Sequence, residues 1–82
     1  MPKLRSLSGQ EVIAILNLFV FVVHSQRGSH INLIRILENK RRQTLTVPNH
    51  KELDIGTLRA IFGQVSAFVP AEELRAYFYT VN

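Results

Sequence analysis

Arg42-Gln43-Thr44-Leu45-Thr46-Val47-Pro48 is the stretch from which the fold can be read. Arg42, Thr44 and Thr46 alternate with Gln43, Leu45 and Val47, the period of two that marks a half-buried strand. Pro48 has no amide proton to give a ladder and ends it. Working back, Asn39-Lys40 turns the chain, and a preceding strand runs from Ser29 or His30 to Glu38. Its alternation is impure: Ile31, Leu33 and Leu37 share one face with Arg35, while His30, Asn32, Ile34 and Ile36 share the other. Earlier still, Gln26-Arg27-Gly28 supplies a turn in which Gly28 can take positive φ. Before it, Val20 to Ser25 opens with β-branched and aromatic residues and reads as a first strand, buried on at least one face.

Helices flank the strands. Ser8-Gly9-Gln10-Glu11 is a capping box, and Val12, Ile13, Leu16 and Phe19 recur at helical spacing, so a helix is expected over residues 9–19. After the third strand comes a polar loop, Asn49 to Asp54, with Asp54 suited to cap a second helix. Leu58, Ile61, Phe62 and Val65 form the strongest helical stripe in the chain. Val69-Pro70 opens a last helix, with Pro70 in its first turn, Glu72 and Glu73 at its positive end, and a stripe of Leu74, Tyr77 and Phe78. The order α-β-β-β-α-α predicts an α+β two-layer sandwich. Helices cover one face of a three-stranded antiparallel sheet, and the other face is left open to a partner.

The 82 residues suffice for one domain, 1–82, and 46% hydrophobic with 20% charged residues describes a folded one. Ten Lys and Arg against six Asp and Glu leave a formal charge of +4. That surplus favours a polyanionic partner, either nucleic acid or an acidic protein face. The absence of Cys removes disulfide frameworks and thiol catalysis. The start, Met1 to Ser6, has no apolar stretch of the secretory kind, and the longest apolar run, Leu18 to Val23, is too short to cross a bilayer. A soluble, cytoplasmic protein without membrane contact is expected.

Three histidines, His24, His30 and His50, match no metal-ligand spacing, so neither metal nor other cofactor is expected. No serine sits in a nucleophile-elbow context. The Arg27-Gly28-Ser29-His30 turn is more informative. Gly28 lets a phosphate approach the backbone, Arg27 offers a forked cation, Ser29 a hydroxyl, and His30 an imidazole. An imidazole ordinarily titrates at about 6.5 and can move protons at neutral pH. A small ribonuclease needs such a base for a ribose 2′-hydroxyl and a cation beside the phosphate. The plain alternative is a surface histidine in a hairpin.

Four fragments go further together than any does alone: Ser8-Gly9-x-x-Val12, Gly28-Ser29-His30, Thr46-Val47-Pro48-x-His50 and Gly56-Thr57-Leu58-Arg59-x-Ile61. In this order and spacing, on a basic chain of this length, the sequence resembles the HicA (YcfA-like) family, the toxin half of HicBA type II toxin–antitoxin systems. The resemblance runs from Ser8 to about Tyr79. It implies a fold similar to the double-stranded RNA-binding domain. It implies a metal-independent mRNA interferase, an endoribonuclease that arrests translation, with His30 as its catalytic residue. It also implies an antitoxin partner of the HicB kind that caps the active surface.

On that reading the substrate is RNA, and Arg27, Arg42, Lys51 and the amides of Gly28 and Ser29 hold its phosphate. His50 is either a second proton-transfer group or a loop residue bonded to nearby backbone. His24, at the end of the apolar first strand, reads as structural. Arg41 and Arg42 either steer RNA or guard a sheet edge as solvated charges. A non-catalytic RNA-binding module of the same fold is one alternative. Another is an interaction protein docking an acidic partner on Ile34 and Ile36, which could also serve a homo-oligomer.

Three positions depart from the family pattern. Val20 stands where Gly is usual before the first strand, and its presence strains or shifts that boundary. Lys40 stands where a turn wants Gly, at a cost on the order of 1 kcal/mol. Asn32 and Ile34 share the face of His30, where basic residues would be expected for RNA.

Overall fold

The computed structural model describes residues 2–81. The elements are α1 (Gly9–Leu18), β1 (Val22–Arg27), β2 (His30–Ile36), β3 (Arg42–Pro48), α2 (Ile55–Ser66) and α3 (Ala71–Phe78). This is the expected α+β order, and the strands form one antiparallel sheet in chain order. Ile31 and Leu33 of β2 and Leu45 and Val47 of β3 are buried on one face. They join Val12, Ile13, Ile15 and Leu16 of α1, Leu58, Ile61 and Val65 of α2, and Leu74 and Phe78 of α3 in one cluster. Each such side chain contributes roughly 1.5–3 kcal/mol by leaving water. Among the described residues no helix is long and apolar enough to cross a membrane.

The capping box forms as read. The Ser8 hydroxyl accepts from the Glu11 amide at 3.0 Å, and the Ser8 amide donates to the Glu11 carboxylate at 2.9 Å. The other end of α1 closes in a Schellman motif. The Val20 amide donates to the Asn17 carbonyl and the Phe21 amide to the Leu16 carbonyl, both at 3.1 Å. That closure requires a left-handed residue, and Val20 takes it at φ 70°. A β-branched side chain there costs on the order of 1–2 kcal/mol.

This closure corrects the first strand. It begins at Val22, not Val20, and none of its six residues is buried. Val22 and Val23 are 53% and 52% exposed. The helices sit over β2 and β3, and the core place expected for the strand is taken by Phe21, fully buried just before it. His24, expected as structural, is exposed at a β-bulge where the register slips between Val23 and Ser25.

β2 ends at Ile36 rather than Glu38 because a three-residue loop begins there. The Lys40 amide donates to the Leu37 carbonyl and the Leu37 amide to the Arg41 carbonyl, both at 2.9 Å. Lys40 has φ 71°, the left-handed position that the turn demands.

Arg35 explains the impure alternation of β2. It lies on the helix face, and each of its three guanidinium nitrogens donates one hydrogen bond. Nε donates to Gln43 Oε1 at 2.8 Å, and the two terminal nitrogens donate to the Phe19 and Phe68 carbonyls at 3.1 and 3.0 Å. Its guanidinium also stands 4.7 Å from the centre of the Phe21 ring. One side chain thus ties the exits of α1 and α2 to the sheet, with a cation at the negative ends of both helices.

Three smaller expectations are corrected. The loop before α2 is not wholly polar: Leu53 is buried and its amide donates to the Leu7 carbonyl at 2.9 Å. Asp54 is the N-cap of α2 as expected, and its carboxylate accepts from the Thr57 hydroxyl, which holds it below the usual carboxylate range. Pro70 is the N-cap of α3, one residue before its first turn, and Tyr77 is exposed, edge-on to Phe19 at 5.7 Å. The sequence also gave no hint that Leu4 bridges to Tyr79, with the Arg5 guanidinium donating to the Tyr77 carbonyl at 2.7 Å.

Candidate functional site

Arg27 pairs directly with His30, so Gly28 and Ser29 alone join β1 to β2. Of the two only Gly28 has positive φ, 60°, the pattern of a type II′ hairpin turn. The turn therefore lies further on than Gln26-Arg27-Gly28, with Gln26 and Arg27 inside β1. The Gln26 amide nitrogen donates to the Gly28 carbonyl at 2.9 Å. On its other side His30 pairs with Pro48. Directly paired residues share a face. Arg27, His30 and Pro48 therefore make one row across the end of the open face.

Two further segments close on this row. The Asn49 amide donates to the Ser29 carbonyl at 2.6 Å, tying the exit of β3 to the turn. The Gly9 amide donates to the His50 carbonyl at 2.9 Å, and Gln10 Nε2 to Asn49 Oδ1 at 2.9 Å, tying both to the start of α1. Gly9 is needed for the approach: a Cβ there would meet the Pro48 carbonyl oxygen at 2.2 Å. Three fragments far apart in sequence, Ser8-Gly9, Gly28-Ser29-His30 and Val47-Pro48-x-His50, are thus one junction. The fourth, Gly56 to Ile61, opens α2 and gives Leu58 and Ile61 to the core.

The junction brings Arg27, Gly28, Ser29, His30, His50 and Lys51 to one end of the sheet, all exposed. For His50 it is the carbonyl that makes the bond to Gly9. Arg42 is not brought there. It pairs with Ile36, the whole length of β2 from His30, about 20 Å at the usual strand rise. Among the described residues no group of three His, Cys, Asp or Glu could hold a metal ion. Two clefts of about 400 and 350 Å³ lie elsewhere, between the N-terminal segment and α2, sharing Leu4 and Ile55.

Sequence reasoning missed a second row next to the first. Ser25 pairs with Asn32 and Asn32 with Thr46. Their side chains are linked: Asn32 Nδ2 donates to Ser25 Oγ at 3.2 Å, and Thr46 Oγ1 donates to Asn32 Oδ1 at 2.9 Å. A third row, Val22, Ile34 and Thr44, follows. A two-residue turn at Asn39-Lys40 would have paired Asn32 with Val47; the three-residue loop, closed between Leu37 and Arg41, moves the register by one and pairs it with Thr46. Either register places Arg42 far from His30. No strand carries Asp or Glu, so the open face is neutral to positive.

A family model described as the HicA toxin of bacterial toxin-antitoxin systems matches residues 9–66, which hold α1, the whole sheet and α2. Neither a curated protein nor a solved structure matches the chain.

Proposed function

The chain belongs to the HicA toxin family, and from that premise we propose that it is an endoribonuclease that cuts transcripts and so arrests translation. The observation that carries this reading is the exposed His30 imidazole, set by strand pairing beside Arg27 on a face without carboxylates.

In the reaction, neutral His30 takes the proton of a ribose 2′-hydroxyl as that oxygen attacks phosphorus. The bond to the 5′-oxygen breaks, that oxygen takes a proton from water, and the products are a 2′,3′-cyclic phosphate and a 5′-hydroxyl. Protonated His30 serves the leaving oxygen instead if a second group removes the first proton, and His50 is the available second imidazole. Arg27, Lys51 and the exposed amides at Gly28 and Ser29 oppose the charge on the phosphoryl oxygens. Arg42 is too far to join them and acts on the approach of RNA, by long-range attraction. No step uses a metal. The setting of such a reaction is the cytoplasm, and the partner is a HicB-like antitoxin that covers the open face until the toxin is released.

The test is incubation of a long single-stranded transcript with the purified protein in excess chelator. Fragments with cyclic-phosphate ends are expected. A transcript that is bound but stays intact overturns the nuclease and favours the RNA-binding module.

A further inference from the structure

Asn32 breaks the expectation of a basic track beside His30, and its surroundings suggest what stands in place of that track. Each of its amide groups has one neighbour in the row, Ser25 on one side and Thr46 on the other. Whichever way the amide is turned, one N–H and one oxygen lone pair stay free. A phosphate offers only acceptors and cannot use that free oxygen. A base edge offers a donor beside an acceptor and can use both.

We infer that the Ser25–Asn32–Thr46 row is a base-recognition subsite for an unpaired nucleotide next to the scissile phosphate. The inference rests on the ribonuclease reading, and it deepens it. Spacing and charge support it. Successive rows on one face of a strand are about 7 Å apart. A phosphate held at Arg27 and His30 thus leaves its neighbouring base over Asn32. The next row supplies an apolar floor in Val22, half exposed, and Ile34. The absence of carboxylates from the strands admits a polyanion across all three rows. A duplex would keep its base edges paired, and in A-form RNA its major groove is closed to side chains, so the occupant is single-stranded.

The experiment uses the His30→Ala protein, expected to hold RNA without cutting it, and equal-length single strands of each of the four bases, with an RNA duplex as reference. The row predicts unequal affinities among the four and weaker binding of the duplex. Adding Asn32→Leu lowers affinity for the best-bound strand about tenfold and flattens the ranking. Thr46→Val, which removes only the hydroxyl that orients the amide, shifts the ranking the same way by less. It carries the test if the leucine variant melts early. An unchanged ranking overturns the inference, and so does an equal loss for all four strands, which would assign the row to backbone contact or to stability. Failure of the nuclease reading shows separately, as an intact transcript with the wild-type protein.

Discussion

At the His30 end of the sheet the left-handed backbone position is filled by Gly28, whereas at the opposite end the two such positions are filled by Val20 and Lys40. The first end is braced by backbone hydrogen bonds among three segments, from Gly9 to His50 and from Asn49 to Ser29. At the second, backbone bonds close each turn locally, and one side chain, Arg35, joins the separate segments. The first is polar and cationic; the second sets the exposed apolar side chains of Val20 (68%) and Ile36 (58%) beside the charges of Lys40, Arg41 and Arg42. Backbone strain therefore sits where nothing is proposed to react, and the end presenting the imidazole is relaxed and rigidly placed. Stability and chemistry should respond separately to changes at the two ends.

The largest separation is expected from Arg35→Met. It leaves the Phe19 and Phe68 carbonyls without their donor and should cost about 3 kcal/mol in chemical denaturation. Arg35→Lys should not restore the loss, since an ammonium cannot reach three acceptors in a fork. Gly9→Ala probes the braced end. Its Cβ collides with the Pro48 carbonyl, so a loss of about 2 kcal/mol and a slower cleavage rate should appear together. Gly63→Ala, facing open space inside α2, should instead stabilise by roughly 0.5–1 kcal/mol and leave cleavage alone. Val20→Gly relieves the far end and should raise stability by about 1 kcal/mol without altering the cleavage rate. Arg42→Ala should slow turnover by less than about threefold, with a loss of RNA binding that fades as salt rises. A large loss of turnover there would erase the distinction between the ends.

Local chemistry made much of this legible. The capping box, the α2 stripe and the alternation of Thr44 to Val47 depend on neighbours in sequence, and all three stand as read. The strain at Val20 and Lys40 was legible too, because only their positions in turns were needed. The exposure of β1 was not: the strand read as buried on at least one face, yet which strand the helices cover is decided by long-range packing. The same holds for the Leu4–Tyr79 bridge, for Leu53, and for Arg35, whose three partners come from three separate segments. At the candidate site the residue types and their gathering could be read, but the distance of Arg42 and the Ser25–Asn32–Thr46 row needed the strand register.

The most direct measurement is the initial rate of cleavage of one transcript by the wild-type protein and by His30→Ala, with the melting temperature of each recorded in the same buffer. His30 is exposed, so the two should melt together within the scatter of surface substitutions, while the rate falls by about a hundredfold or more. A variant that melts with the wild type and cuts as fast contradicts the placement of the chemistry at that end of the sheet.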